Sequence, residues 1–178
     1  MATGDKSFDI EAIDKELGQL VKEHRTKIRV IGIGGSGGNT LTRLKEIGVE
    51  GTELIAINTD AQDLLNTNAD SKLLIGREIT KGLGAGGDPI LGEESARQSE
   101  GEIKKKLLGA DMLFITCGLG GGTGTGAAPI IGEIARKMGM LTIGVVTLPF
   151  SVEGKERQEN AAVGLEKLDD VLDTLIVI

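Results

Sequence analysis

The 178-residue sequence contains no Trp and no Tyr, only one Cys and only three Pro. A single Cys excludes an internal disulfide framework and favours a reducing compartment, so we expect a cytoplasmic chain. No window approaches the roughly 20 apolar residues that a membrane-spanning helix needs. The N-terminal sequence MATGDKSFDIEAID has no basic segment followed by an apolar one. We therefore expect neither a signal peptide nor direct membrane insertion.

Positive charge is also scarce, because 20 Lys and Arg stand against 27 Asp and Glu, for a formal net charge of −7. Nucleic-acid-binding domains usually carry a basic surface, so we expect no nucleic-acid partner. No His, Cys or Asp cluster has metal-ligand spacing, and we expect no metal held by the protein alone. Glycine is abundant, at 28 residues. With so little Pro and no low-complexity repeat, this predicts a globular domain with many tight turns.

Apolar strand patterns alternate with helical patterns along the chain. The predicted strands are KIRVIGIG, ELIAINTD, KLLIG, 111–117, LTIGVVTLP and TLIVI. The predicted helices include an amphipathic one over 8–24, NTLTRLKEIG, AQDLLN, EESARQSEGEIKKKLL after a long loop over 76–92, 123–138 and 155–170. This rhythm predicts a doubly wound, Rossmann-like parallel six-stranded sheet with helices on both faces. Because the chain stops at Ile178 inside an apolar run, we expect a longer protein.

Four glycine-rich loops, GIGGSGGN, GLGAGGDP, GGGTGTG and PFSVEG, are brought to one edge of such a sheet. In open α/β sheets ligands bind at the carboxyl ends of the strands. Free backbone N–H groups and helix N-termini at these loops favour phosphate, and the Thr123 and Thr125 hydroxyls can add hydrogen bonds. The loops therefore predict a polyphosphate site. The alternative is that their glycines serve tight packing of helices on strands.

Two classes of phosphate-binding protein can be weighed from the residues. No glycine loop ends in Lys followed by Ser or Thr, which argues against a P-loop NTPase. A G-x-G-x-x-G pattern does occur at Gly32, Gly34 and Gly37, with Asp60 near the place of a ribose-binding acid. An NAD-binding oxidoreductase module is thus one possible interpretation. In the simpler one, Thr59 or Asp60 caps the helix that follows.

The segment GLGGGTGTGAAP at 118–129 resembles the signature of the FtsZ/tubulin family of self-assembling GTPases. IGIGGSGGNTLTRL, AINTDAQDLL, TKGLGAGGDP and TIGVVTLPFSVEGKERQENAAVGLEKL resemble successive segments of that family, in order. The N-terminal helix and INTDAQ look most like archaeal FtsZ. The resemblance divides the chain into an N-terminal helical extension, 1–26, and a GTP-binding domain, 27–178. It also implies that the family's central helix and C-terminal domain are absent from these residues.

A site for GTP or GDP, with Mg²⁺ held through the nucleotide phosphates, is what the resemblance implies. The first loop contacts phosphates and sugar, with Asn39 toward the base, and residues 85–87 sense the γ-phosphate. Glu153 binds the ribose hydroxyls, with Arg157 one helical turn further on; from spacing alone these two form an exposed ion pair. The implied nucleotide-binding residues are Gly34, Gly35, Ser36, Gly37, Gly38, Asn39, Ala85, Gly86, Gly87, Gly121, Gly122, Thr123, Gly124, Thr125, Gly126, Glu153 and Arg157.

The resemblance also implies a complete protein that assembles head to tail into protofilaments, forms a division ring at midcell and binds division regulators. The family's catalytic acids lie in a later segment, so we expect no catalytic residue among these 178 residues. We expect the isolated chain to bind guanine nucleotide, to hydrolyse little GTP and to be a monomer or dimer. A nucleotide-independent assembly partner or filament cap is an alternative.

Three other features have structural interpretations. Cys117 ends an apolar strand with no His nearby in sequence, which predicts a core residue and not a nucleophile. His24 is predicted to close the N-terminal helix. Lys104–Lys106 lie in a helical pattern and predict a solvated face.

Overall fold

The computed structural model describes residues 7–23 and 26–178. Its helices are α1 (Ser7–Glu23), α2 (Gly34–Ile47), α3 (Ala61–Asn66), α4 (Arg77–Thr80), α5 (Pro89–Gln98), α6 (Glu100–Leu107), α7 (Gly122–Lys137) and α8 (Lys155–Val171). Its strands are β1 (Ile28–Ile33), β2 (Thr52–Asn58), β3 (Ser71–Leu74), β4 (Met112–Gly118), β5 (Leu141–Thr147) and β6 (Thr174–Val177). A short 3₁₀ turn, Ser151–Glu153, precedes α8.

The six strands form one sheet in the order β3-β2-β1-β4-β5-β6, and every neighbouring pair is parallel. The winding proceeds outward from β1 in one direction through β2 and β3, and in the other through β4 to β6. Such a reversal between β1 and β4 is the topological switch point at which doubly wound sheets bind ligands. The predicted fold class is therefore confirmed.

Helices cover both faces of this sheet, so successive residues of a strand are buried in different hydrophobic clusters, one on each face. In β2, Leu54 packs with Leu41 of α2 and Leu64 of α3 on one face. Its neighbours Ile55 and Ile57 join the larger core, which the apolar residues of α5 to α8 complete on the other face. The near-continuous apolar runs of the central strands are explained by this burial on two sides.

The long loop predicted over 76–92 is wrong in part, because α4 and the start of α5 lie within it. Gly76 and Lys81 bound α4 with left-handed backbone, at φ 63° and 52°. Asp88 begins α5, and its Oδ1 accepts a hydrogen bond of 2.8 Å from the Ile90 backbone N–H. A four-residue helix between two left-handed residues has too few positions for a periodic pattern to register.

The single helix predicted after that loop is also wrong, since it is interrupted at Ser99 between α5 and α6. The buried Ser99 hydroxyl oxygen accepts a 3.0 Å hydrogen bond from the Gly76 backbone N–H. This contact crosses 23 residues of sequence. Helical periodicity carries no information about such a distant partner, so it does not predict the interruption between α5 and α6.

The predicted N-terminal amphipathic helix is present as α1, and its apolar Ile10, Ile13 and Leu17 are exposed. The predicted role of His24 lies outside the described residues. Within the part of the chain that the structure describes, no helix combines the length and apolarity needed to cross a membrane.

Candidate functional site

A cavity of about 670 Å³ lies at the carboxyl ends of β1, β4 and β5. Four parts of the chain line it: the end of β1 with the start of α2, the end of β4 with the start of α7, the segment from the end of β5 into α8, and the residue that follows β6. The lining residues are Ile33, Gly34, Gly35, Ser36, Gly118, Leu119, Gly121, Gly122, Thr123, Gly124, Thr147, Leu148, Pro149, Phe150, Glu153, Arg157 and Ile178.

Two helices begin at this cavity, α2 at Gly34 and α7 at Gly122. Neither start receives a side-chain capping hydrogen bond from the described residues. The first N–H groups of a helix have no partner within the helix, and they carry the positive end of its dipole. Two such ends on one cavity make a binding site for an anion with several charged oxygens.

The glycines of the GGGTGTG loop divide into two kinds. A Cβ on Gly124 would lie 2.7 Å from the Gly118 carbonyl oxygen, and one on Gly126 only 2.0 Å from the Pro89 carbonyl oxygen. A Cβ on Gly122 would meet Asp88 O at 2.8 Å. For a Cβ placed on Gly121, no atom of the described residues other than its own chain neighbours lies within 4 Å. Gly122, Gly124 and Gly126 therefore let α7 pack closely, whereas Gly121 leaves open space beside the cavity.

The two threonines of this loop point in different directions. Thr125 is 3% exposed, and its Oγ1 accepts a 2.9 Å hydrogen bond from the Gly120 backbone N–H. Thr123 is partly exposed, lines the cavity and has its Oγ1 2.7 Å from the Thr59 Oγ1. Thr125 thus stabilises the loop from inside, and Thr123 is the one beside the space for a ligand.

The first glycine loop is brought to the cavity only in part. Gly34, Gly35 and Ser36 line it, but the other predicted members of this loop do not. Gly37 is buried, and a Cβ there would lie 2.6 Å from the Thr116 carbonyl oxygen. The packing of α2 on the sheet therefore accounts for Gly37, whereas the buried Gly38 packs against Thr67 at the end of α3, whose Oγ1 would lie 2.8 Å from a Cβ on Gly38. Asn39 lies exposed on α2, outside the lining set.

The GAGGDP loop lies beside the cavity and not in its wall. Ala85 is buried against the start of α7, where its Cβ would lie 2.8 Å from a Cβ on Gly122. Gly86 and Gly87 are exposed and adopt left-handed backbone at φ 59° and 87°. Gly86 and Gly87 thus lie between two residues, Ala85 and Asp88, that pack against Gly122 of the loop that does line the cavity.

Glu153 and Arg157 face each other on the cavity wall. The Arg157 Nη1 donates to the Glu153 Oε2 at 2.7 Å, and the Glu153 Oε1 accepts a 2.8 Å hydrogen bond from the Phe150 backbone N–H. The ion pair expected from spacing alone therefore exists. Both groups also line the cavity, which is what the implied role in binding a ribose requires.

Asp60 is used as a helix cap. Its Oδ1 accepts hydrogen bonds from the backbone N–H groups of Gln62 at 2.9 Å and Asp63 at 3.0 Å. This is the simpler of the two interpretations drawn from the sequence. The Oδ1 atom of the acidic residue that a dinucleotide site would use thus caps the start of α3.

Cys117 is 1% exposed, and burial raises the pKa of its thiol to about 12. It is the core residue that was predicted. Lys104 and Lys105 are exposed, as predicted for a solvated face, whereas Lys106 is half-buried and donates to the Ser71 hydroxyl. Among the described residues, no group of three or more His, Cys, Asp and Glu is arranged to hold a metal ion.

Some lining residues were missed in the sequence. Thr147 and Leu148 carry no motif of their own and are indicated only by their place between a strand and PFSVEG, whereas Phe150 belongs to that loop but is not among the residues predicted to bind. Thr59, which contacts Thr123, was considered only as a cap. Its position, a polar residue directly after a buried apolar strand, was the signal available.

The parallel sheet, its switch point and two helix starts on one cavity define the class: a doubly wound α/β domain with a candidate anion site at the carboxyl ends of its strands. Comparison with known proteins makes this specific. Residues 27–178 match the family model described as the Tubulin/FtsZ family, GTPase domain. The chain therefore belongs to the Tubulin/FtsZ family.

Individual relatives agree with this assignment. The chain is 59% identical over 167 residues to cell division protein FtsZ 1 of Pyrococcus horikoshii, covering 94% of this chain and 45% of the relative. A solved structure of an empty FtsZ dimer from M. jannaschii matches with a TM-score of 0.89 and 57% identity, over 93% of this chain and 48% of that one. A GTPγS-bound protofilament of CetZ2 from Haloferax volcanii matches with a TM-score of 0.78 and 28% identity, over 86% and 49%. The chain spans about half the length of these relatives.

Proposed function

We propose that this chain binds GTP and GDP in the cavity at the ends of β1, β4 and β5, as the nucleotide-binding part of a cell-division GTPase of the FtsZ type. The observation that carries the proposal is the meeting of two glycine-rich helix starts and the Glu153–Arg157 pair on one cavity. Family membership over 27–178 supports the same ligand.

In this proposal the phosphates lie against the backbone N–H groups of Gly34–Ser36 and Gly121–Gly124. Glycine permits the close approach that main-chain donors need, and the two helix dipoles add to the attraction. The exposed Gly86 and Gly87 receive the terminal phosphate. Four further residues support these phosphate contacts indirectly, through the packing and loop contacts described above: Gly37, Gly38, Thr125 and Gly126. Asn39 reaches the base from α2.

The sugar and the metal follow from the same arrangement. The Glu153 carboxylate accepts hydrogen bonds from the ribose hydroxyls, and the hydrogen bond from Arg157 keeps that carboxylate oriented. Mg²⁺ reaches the site with the nucleotide and is held mainly by phosphate oxygens and water, as this ion prefers.

For the complete protein we propose head-to-tail assembly into protofilaments that form the division ring at midcell in the cytoplasm, where division regulators bind it. A head-to-tail contact whose rotation does not close into a ring repeats indefinitely and so produces a filament. The names of the matched structures, an FtsZ dimer and a CetZ2 protofilament, support self-association as a family property.

For these 178 residues alone we propose nucleotide binding with little hydrolysis. The family resemblance assigns the groups that act on the attacking water to a later segment, supplied by the next subunit of a filament. Phosphoryl transfer depends on positioning that water, so binding and turnover separate in this chain.

A titration tests the proposal. GTPγS, GDP, ATP and NADH are each titrated into a separate sample of the chain, and the heat of binding is measured by isothermal titration calorimetry. We expect saturable binding of the two guanine nucleotides, lost when Ser36 and Gly121 are both replaced by Asp, because two carboxylates at the loops repel phosphate. Binding of NADH in preference to GDP would overturn the proposal.

A further inference from the structure

Thr59 occupies a position between two of the glycine loops and touches both. It follows β2 directly and is 0% exposed. Its Oγ1 lies 2.7 Å from the Oγ1 of Thr123, the threonine that lines the cavity. Its carbonyl oxygen accepts a hydrogen bond of 3.2 Å from the Gly84 backbone N–H, at the entrance to the GAGGDP loop.

The contact with the GAGGDP side extends beyond one hydrogen bond. Asp60 forms an antiparallel bridge with Leu83, and the Ala61 N–H donates to the Gly82 carbonyl oxygen at 2.9 Å. The Thr80 hydroxyl also donates to the Thr59 carbonyl oxygen, at 3.2 Å. The segment that begins at Thr59 thus fixes where residues 85–88 start.

On their other side, residues 85–88 press against the start of α7. A Cβ on Gly122 would lie 2.8 Å from the Ala85 Cβ and 2.9 Å from the Asp88 nitrogen. The GAGGDP loop is therefore held between the Thr59 segment and the GGGTGTG loop. A displacement of Thr123 would therefore change its hydrogen bond with the Thr59 hydroxyl, and a displacement of Gly84 would change its hydrogen bond to the Thr59 carbonyl oxygen.

We propose that Thr59 is a positioning residue that couples the GGGTGTG and GAGGDP loops, so that both close together on a nucleoside triphosphate. This inference rests on the proposed function, which gives the terminal phosphate to Gly86 and Gly87. A diphosphate ends before that loop and gains little from the coupling. Thr59 therefore sets the preference for triphosphate over diphosphate without itself touching the nucleotide.

The test compares the dissociation constants for GTPγS and GDP in three variants. Thr59→Val removes the hydroxyl and Thr59→Ser retains it. Thr80→Val removes the bond to the Thr59 carbonyl oxygen from the opposite side, together with the contacts of the same hydroxyl with the Gly76 carbonyl oxygen and the Gly82 backbone N–H. We expect Thr59→Val to weaken GTPγS binding by about fivefold, the worth of one ordinary hydrogen bond, and GDP binding by less than about twofold. Thr59→Ser should restore the wild-type ratio, and Thr80→Val should lower it as Thr59→Val does.

The outcomes separate this inference from the function on which it rests. Thermal unfolding of each variant first shows that it folds, and Thr80→Val provides the answer should Thr59→Val not fold. Equal weakening of both nucleotides, or no change in either, overturns the coupling role while leaving nucleotide binding intact. Failure of the unmodified chain to bind either nucleotide overturns the proposed function, and the coupling with it.

Discussion

The Arg157 guanidinium donates to the Glu153 carboxylate at 2.7 Å across the wall of the cavity, one helical turn apart along the chain. A second pair, Lys155 and Glu159 within α8, has the same spacing, with a distance of 3.1 Å, and lies outside the lining set. Exposed pairs of this kind contribute only about 0.3–0.5 kcal/mol to stability. The two pairs therefore differ in their position relative to the cavity more than in energy.

This difference gives the first prediction. Glu153→Gln should weaken GDP binding about tenfold or more, because a charged acceptor of the ribose hydroxyls is lost. Glu159→Gln, the matched control, should leave GDP binding unchanged. Dideoxy-GDP, which lacks both ribose hydroxyls, should bind the unmodified chain and Glu153→Gln equally. A tenfold difference between the two proteins for dideoxy-GDP would contradict the assigned contact.

The second prediction separates the two kinds of glycine in the GGGTGTG loop. Gly126→Ala should lower the free energy of unfolding by about 3 kcal/mol, because its Cβ would lie 2.0 Å from the Pro89 carbonyl oxygen in a fully packed interface. Gly121→Ala should cost less than about 1 kcal/mol, since its Cβ meets open space. Urea unfolding measures both. Equal losses of stability would show that the packing distinction is mistaken.

The same pair of variants also tests binding. Gly121→Ala places a methyl group beside the cavity, where a phosphate must approach the backbone closely, so GDP affinity should fall although the fold is intact. An unchanged affinity for GDP would remove Gly121 from the proposed phosphate contacts.

The third prediction concerns the pH dependence of stability. Hydrogen bonds from the Thr142 backbone N–H at 2.7 Å and from its hydroxyl at 2.8 Å lower the pKa of Asp173 below its ordinary 3.8. Because the pKa of Asp173 is lower in the folded chain, the stability that its ionised carboxylate contributes is fully present above pH 3.8. That stability is lost as the pH falls through the folded-state pKa. Asp173→Asn should therefore flatten the acid limb of a stability–pH curve.

The exposed Asp169 on α8 provides the control for that experiment. Asp169→Asn should leave the acid limb as it is in the unmodified chain, with stability measured by urea unfolding between neutral and acidic pH. An acid limb that Asp173→Asn leaves unaltered would show that the Thr142 contact is unimportant for folding.

The fourth prediction concerns Cys117. With a pKa of about 12 and an exposure of 1%, its thiol has neither the charge nor the access that alkylation requires. Iodoacetamide should leave the native chain unmodified and label it fully in denaturant, with mass spectrometry as the readout. Rapid labelling of the folded chain would contradict the burial of this residue at the end of β4.

The sequence predicted the sheet because its strands are apolar runs and its crossovers are periodic. It also predicted that the loops after β1, β4 and β5 meet at one cavity, since parallel strands place their carboxyl ends at one edge, whereas the GAGGDP loop lies beside that cavity. It did not predict that Thr125 turns inward to Gly120, because a hydroxyl beside glycines suits a phosphate and a backbone N–H equally well. The break at Ser99 and the position of Thr59 depend likewise on partners distant in sequence.

The absence of Trp and Tyr makes one measurement especially direct. Such a chain hardly absorbs in the region of the nucleobase band, so a UV spectrum after desalting reports bound nucleotide, and chromatography of the denatured sample identifies it. Release of GDP or GTP is the predicted result. Release of NAD, or an empty chain that takes up neither guanine nucleotide when it is supplied, would contradict the proposal that this cavity is a guanine-nucleotide site.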